Sequence, residues 1–329
     1  MCSSDLAGVI EANQDLAKVF TVIGSLQAAF AANPSMPAWP ATSKVPAAMQ
    51  AAIPSRSALV LIALMAGVPL QSAHFDSTSA PSVLPAASQT SFQLAINPAF
   101  AALENIANAA ALAVLATHDL EIQAGGVYFD NSKTDYSARL GDDAFVWTSA
   151  LSGNTAIATM LGYLAAAPRS VANPAAVAKL DTLTKHTGKI SVPTVLFTGV
   201  ADPVTVAGNT QWIADKYAAQ WAAQWEANKA ARNPKRPTNL LLTIWNFTPA
   251  KYTVYTAAGA PDTTVPAATG TNHCNFTFSQ TMAVADLLAY ASENGYHLAG
   301  GALNTKLRKA GNMTIDKGFH APLLKTATN

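Results

Sequence analysis

The sequence predicts a helix-rich α/β protein in which a long helical region precedes a small set of strands. Apolar residues recur at helical spacing through most of the first 190 positions, and the first strong strand, Val192 to Gly199 (VPTVLFTG), comes only after them. Composition agrees. Half of the 329 residues are hydrophobic and 12% are charged, the latter about half the usual share, which argues against disorder and supplies a sizeable core.

The elements are taken in chain order. Asp15 to Phe30 places Leu16, Val19, Phe20, Ile23 and Leu26 on one face of a helix. Pro34, Pro37, Pro40, Pro46 and Pro54 break the next stretch. Ser57 to Ala66 is apolar all round and predicts a short buried helix, and residues 70–90, rich in Ser, Pro and Ala, predict a connecting loop. Ser91 to Thr117 predicts a helix pair or one helix kinked at Pro98, closed by Gly125-Gly126. Asp143 to Leu164 and Pro174 to Thr184 predict two further helices. The strand at Val192 to Gly199 is apolar and β-branched throughout, as expected of a central strand covered on both faces. A Trp-, Gln- and Ala-rich helix from about Thr210 to Ala231 comes next, then β-rich stretches at Asn239–Phe247 and Lys251–Thr256, then an amphipathic helix from Ser279 to Asn294. The last thirty residues show no firm period and read as a peripheral extension.

Several classes are excluded or disfavoured. With 20 Lys+Arg against 19 Asp+Glu the net charge is +1, so a phosphate-tracking nucleic-acid surface has no electrostatic basis. Cys2 and Cys274 cannot form a disulfide framework or a thiolate zinc cluster. The best apolar run, Ala58 to Val68, falls short of the about 20 residues that span a bilayer. Met1 to Leu6 does not read as a signal peptide, because no charged segment precedes an apolar run. Met1 to Leu6 would be encoded by a string resembling a sequencing-adapter end, and is read as a non-native scar, with a genuine unstructured N-terminus as the alternative.

Two segments carry the chemistry. In Val195-Leu-Phe-Thr-Gly-Val-Ala-Asp202 an acid stands just beyond the carboxyl end of a strand, where α/β sheets place their active sites. In Gly270-Thr-Asn-His273-Cys-Asn-Phe-Thr277 a histidine sits in a loop immediately before a helix. A carboxylate that accepts from one imidazole nitrogen fixes the tautomer and frees the other nitrogen to act as general base. The order acid, then histidine, suits the chain order Ser…Asp…His of one hydrolase class.

Together with Ala124-Gly-Gly-Val-Tyr-Phe-Asp…Asp135-Tyr136 and Leu164 to Thr187, these segments resemble the C-terminal two-thirds of a bacterial secreted α/β-hydrolase, a serine esterase or lipase with a helical lid. The helix around Asp15 is similar to the one that comes after the nucleophile in that family, so the resemblance covers most of residues 7–300. It implies a partial α/β-hydrolase-like sheet with a large helical cap: residues 7–33 after the nucleophile elbow, 34–170 as lid, 171–299 as core with Asp202 and His273, and 300–329 as extension. It implies a small-molecule or lipid-like ester substrate, no cofactor or metal, and an extracellular or periplasmic parent protein. The departures are specific. No Gly-x-Ser-x-Gly occurs, Ser25 lies inside a helical pattern, Asn272 replaces the glycine before the histidine, and about Ala222 to Pro249 looks inserted. The serine is therefore expected upstream of this stretch, the chain alone is expected to be inactive, and the strand at Val192 is expected to expose an edge prone to association. The alternative is a non-catalytic binding or scaffold protein of the same fold.

Other residues read as structural. His74, His118, His186, His297 and His320 lack metal-ligand spacing. Asp142-Asp143 and Asp119/Glu121 read as solvated charges, Gly125-Gly126 as a turn, Trp212, Trp221 and Trp225 as core, and Cys274 as a buried packing residue. Asn246 and Asn275 match a glycosylation pattern that is common by chance.

Overall fold

The computed structural model describes residues 3–41, 43, 45–137, 154–166, 169–184, 187–231, 235–316, 318, 319 and 321. It is helix-rich with one small mixed sheet of three strands. The chain divides into two compact units, one of Met1–Lys185 with Ala250–Pro266, the other of His186–Pro249 with Ala267–Leu324.

The first unit is all-helical among the described residues: α1 Ser3–Ala32, α2 Ala47–Ala52, α3 Ser55–Ala66, α4 Ala86–Ser91, α5 Asn97–Ala124, α6 Asn154–Ala165 and α7 Pro174–Thr184. Prolines 46, 54 and 85 each stand just before a helix, where a fixed φ helps and a missing N–H costs nothing. Gly67, in the left-handed region, closes α3 with a Schellman pair, its N–H donating to Leu64 and that of Val68 to Ala63. A turn of π-helix, Phe92–Ile96, links α4 to α5, so the distortion expected at Pro98 falls just before it, and Pro98 itself sits in the first turn of α5. The core joins Phe30 of α1, Val60 and Leu61 of α3, Leu103 of α5 and Met160 of α6, all 3% exposed or less. Two stretches, Ala12–Ala32 and Ala86–Ala124, are long and apolar enough to cross a membrane by length and composition, a test that buried core helices also pass. This corrects the sequence-level view that Ala58–Val68 is the best such run.

In the second unit β1 (Thr194–Gly199) pairs in parallel with β2 (Leu241–Asn246), from Thr194 opposite Leu241 to Gly199 opposite Asn246. The crossover between them holds α8 (Ala207–Ala230). Then come α9 (Phe278–Asn294), α10 (Gly300–Ala310) and β3 (Met313–Thr314), which runs antiparallel to β2. The order β1-β2-β3 puts β1 at an edge, not in the middle. Its residues Thr194 to Phe197 are half-buried and Val192 is 63% exposed. A continuous apolar run specifies covered faces, but which strands lie beside it is decided elsewhere in the chain. Lys251–Thr256 forms no strand; only Tyr255 makes an isolated bridge, to Pro261.

The tail is also corrected. Gly300–Ala310 is a helix whose Leu303 and Leu307, each 2% exposed, join Leu242, Ile244 and Leu287 in the core. Leu307→Ala is expected to cost about 2–5 kcal/mol, while Lys309→Ala on the exposed face stays within about 0.5 kcal/mol. Urea unfolding of both variants checks this, and equal small effects would return α10 to the status of an appendage.

Candidate active site

Two loops at the carboxyl end of β1 and β2 build the site, and glycines let them approach. A Cβ on Gly199 would lie 2.9 Å from the carbonyl oxygen of Gly270, and one on Gly270, whose φ is +83°, would lie 2.8 Å from that of Asn246. The contact is sealed by the N–H of Val200 donating to Asn246 and that of Ala201 to Gly270, each at 3.0 Å, with Ala201 bridging Thr271. The second loop runs into α9, whose N-terminus carries a capping box between Thr277 and Gln280. Gln280, 1% exposed, also donates to the Gly311 carbonyl at 2.7 Å and so anchors the loop from below.

Asp202 is buried, 2% exposed, yet well supplied with donors. Its Oδ1 accepts from the N–H groups of Val204 (2.8 Å) and Thr205 (2.9 Å). Its Oδ2 accepts from the Thr205 hydroxyl (2.7 Å), from the N–H of Cys274 (3.4 Å) and from His273 Nδ1 (3.1 Å). A carboxylate only accepts, so Nδ1 carries the proton and the lone pair is left on Nε2. The His273 side chain is 47% exposed, which keeps Nε2 open to solvent or substrate. The two residues chosen from the sequence, 71 positions apart, thus meet as an acid–histidine pair.

The histidine loop takes an unusual backbone path. Asn272 and Cys274 both have φ of +56°, a region that costs an ordinary side chain about 1 kcal/mol or more. The position where the resembling family has glycine is therefore one that glycine enters freely and asparagine tolerates. Asn272→Gly is expected to leave stability within about 1 kcal/mol, and Asn272→Val to cost about 1–3 kcal/mol. Thermal unfolding distinguishes them, and a harmless valine would remove the conformational argument.

Cys274 is exposed, which corrects its reading as a buried packing residue. Its sulfur is 3.6 Å from Nε2 and 3.7 Å from Nδ1 of His273. The thiol therefore has no preference of distance for Nε2 over the nitrogen that faces Asp202. Among the described residues, Asp202, His273 and Cys274 are the group whose ligand atoms converge, within 4.8 Å, as a borderline-soft divalent ion requires. An ion there would have to displace hydrogen bonds that already fill the Asp202 carboxylate.

The remaining candidates have structural partners. His74 Nδ1 lies 2.6 Å from Glu104, whose other oxygen accepts from the buried Ser72 hydroxyl at 2.6 Å. The carboxylate stands between them, so the Ser72 hydroxyl donates to Glu104 and not to the imidazole. His118 lies 3.3 Å from Asp15, His297 2.9 Å from the Leu240 carbonyl, and Asp119 accepts from Gln123. Ser25 donates to the Thr21 carbonyl within α1, and Gly125 ends α5 in the left-handed region. Trp212 is 42% exposed and Trp225 half-buried; Lys216 lies over Trp212, and Lys229 and Arg236 over Trp225, so these two rings are surface platforms for cations and not core, while the half-buried Trp221 donates its indole N–H to the Pro237 carbonyl at 3.0 Å. Asn246 is fully buried and Asn275 donates to the Ala268 carbonyl at 2.8 Å. His186, His320, Cys2, Asp142 and Asp143 lie outside the described residues.

Compared with known protein families, curated proteins and solved structures, the chain matches none.

Proposed function

We propose that Asp202 and His273 are the acid and base of a serine hydrolase of the α/β-hydrolase type, acting on carboxylic esters, with the nucleophilic serine supplied by a Gly-x-Ser-x-Gly segment upstream of this sequence. The observation that supports this best is the Asp202–His273 contact at 3.1 Å, at the carboxyl end of a parallel β-α-β unit. On this reading Nε2 of His273 takes the serine proton as the hydroxyl oxygen attacks the ester carbonyl. The imidazolium then protonates the departing alcohol, and an acyl-enzyme remains. Water, deprotonated by the same nitrogen, releases the acid and restores the serine. Asp202 stabilises the imidazolium and holds the tautomer without itself taking the proton.

The small sheet would be the C-terminal part of a larger one continuing beyond the β1 edge, and the helical unit the cap. The parent protein would then act outside the cytoplasm. The test is turnover of p-nitrophenyl esters by the chain extended upstream, in its own reading frame, to include a strand–GxSxG–helix segment. A chain whose upstream frame closes at once, with no such segment, leaves the non-catalytic binding protein as the better reading.

A further inference from the structure

The acid–histidine pair has a neighbour that ester hydrolysis does not use. Asp202, His273 and Cys274 bring an oxygen, a nitrogen and a sulfur within 4.8 Å of one another. Two edges of that triangle are shorter still: Oδ2 of Asp202 lies 3.1 Å from Nδ1 of His273, and Nδ1 lies 3.7 Å from the Cys274 sulfur. A tetrahedral zinc ion bonds nitrogen and oxygen at about 2.0–2.1 Å and sulfur at about 2.3 Å, which sets its ligands roughly 3.3–3.6 Å apart. The two measured edges therefore stand close to those that such an ion requires.

The surroundings hold these atoms in place. Oδ1 of Asp202 is tied to the N–H groups of Val204 and Thr205, and Oδ2 to the Thr205 hydroxyl, the kind of outer support that orients a ligating carboxylate. The loop that carries the other two donors is closed on itself. The N–H of Gly270 donates to the Asn275 carbonyl at 3.1 Å, and that of Phe276 to the Cys274 carbonyl at 2.9 Å. Asp202 is buried, whereas the His273 side chain is half-exposed and Cys274 exposed. An ion has a way in from solvent, and a water can complete its coordination. The donors also choose the ion. Magnesium and calcium take oxygen ligands in larger number, while sulfur, imidazole nitrogen and one carboxylate oxygen suit zinc.

We propose that Oδ2 of Asp202, Nδ1 of His273 and Sγ of Cys274 bind one zinc ion, with water as the fourth ligand. The Cys274 thiol gives its proton to solvent, and its sulfur donates an electron pair to the metal. The imidazole stays neutral: its proton leaves Nδ1, whose lone pair turns to the ion, and Nε2 takes one up, so binding releases one proton in all. At Oδ2 the ion replaces the hydrogen bond from Nδ1 and the long contact from the Cys274 N–H at 3.4 Å. The three bonds from residues 204 and 205 are retained. An imidazole metallated at Nδ1 carries its proton on Nε2, so the ion and the general base exclude one another. That last consequence alone rests on the hydrolase reading; the binding does not.

The experiment uses the full 329-residue chain, with Zn²⁺ for affinity and Co²⁺ as a spectroscopic stand-in, both as the metal alone. Calorimetry is expected to show one zinc ion per chain, not displaced by magnesium in about thousandfold excess. Cobalt is expected to give the near-ultraviolet charge-transfer band of a thiolate ligand and the visible bands of a tetrahedral site. Cys274→Ala is expected to abolish the charge-transfer band and weaken zinc by about 100-fold or more, with His273→Ala weakening it similarly; circular dichroism confirms that both variants fold. Nitrogen NMR of the imidazole is expected to place the His273 proton on Nδ1 without zinc and on Nε2 with it. No binding at about 100 μM zinc, displacement by magnesium, or undiminished affinity in folded Cys274→Ala would overturn the site. A zinc-bound chain that keeps its proton on Nδ1 would overturn the assignment of that nitrogen. None of these readouts needs ester turnover, so the failure of either reading leaves the other to be judged separately.

Discussion

Replacing Asp76 by alanine is expected to destabilise the helical unit by about 3–5 kcal/mol, the largest effect of any single change outside its hydrophobic core. Asp76 is fully buried and serves as the knot between two segments far apart in sequence. Its Oδ1 accepts from the N–H groups of Thr78 (2.7 Å) and Ser79 (2.6 Å). Its Oδ2 accepts from the Ser79 hydroxyl (2.9 Å) and from the N–H groups of Tyr252 and Thr253 (2.7 Å each). Its own N–H donates to the Thr253 hydroxyl at 2.8 Å. Removal of the carboxylate leaves four backbone donors without their acceptor, and those of the buried Ser79 and Thr253 cost the most in desolvation. Asp76→Asn keeps one acceptor oxygen but turns an N–H₂ group toward donors, so about 2–4 kcal/mol is expected. The pH dependence comes from the same contacts. Burial would push this acid up; the N–H groups of Thr253, Tyr252 and Thr78 and the Ser79 hydroxyl outweigh it and hold the group well below the usual carboxylate range. A lowered native pKa means that the stabilisation is complete above the unfolded value of about 3.9 and fades as pH falls below it toward the native value. The stability gap between parent and Asp76→Asn is therefore expected to be full at neutral pH and to narrow only below about pH 4. Urea unfolding at both pH values measures it; a gap under about 0.5 kcal/mol at neutral pH would show that the knot is dispensable.

That knot also marks where sequence reading stops. Nothing local distinguishes Asp76 from any loop aspartate, because its partners stand 176 and 177 positions away. The same holds for Glu104, which gathers His74 and Ser72 from 30 and 32 positions off. Asp202 and His273 were legible for the opposite reason. Each sits beside a local signal, a strand ending in Gly199 and a glycine-led loop running into a capped helix, and two such signals in hydrolase order constrain each other. The helix α10 hid because its buried face needs only Leu303 and Leu307, four apart, within a stretch dominated by Gly, Lys and Arg. Hydrophobic periodicity weakens when two residues carry the whole buried face. The edge position of β1 was expected only through the family resemblance, as the loss of an upstream neighbour, and not from the strand's own residues, which read as central. Side chains record which faces are covered, whereas strand order records which segments are present to pair. The left-handed φ of Asn272 and Cys274 likewise arises from the demand that His273 face Asp202, and only the asparagine hints at it.

On the proposed hydrolase reading, the 329-residue chain alone is expected to show no ester turnover above buffer, and a chain extended upstream to include a strand–GxSxG–helix segment to show it clearly. In the extended chain His273→Ala is expected to lower kcat by roughly 10⁴-fold or more, because no other group can take the serine proton at Nε2. Asp202→Asn is expected to fall by a comparable roughly 10⁴-fold. The amide can donate toward Nδ1, which favours the tautomer with the proton on Nε2, where the base must be free. Circular dichroism must accompany that variant, since Asp202 also caps the turn at Val204 and Thr205. Cys274→Ala separates the acid–base reading from thiol chemistry. The sulfur is 3.6–3.7 Å from both ring nitrogens, and the backbone N–H of Cys274, which alanine retains, supplies the contact to Asp202. Its loss is therefore expected to change kcat by no more than about threefold. Robust turnover by the 329-residue chain, abolished by Cys274→Ala, would replace the serine with the thiol. Turnover in the extended chain that survives His273→Ala would remove the Asp202–His273 pair from the mechanism, leaving its hydrogen bonds as a tie between two loops.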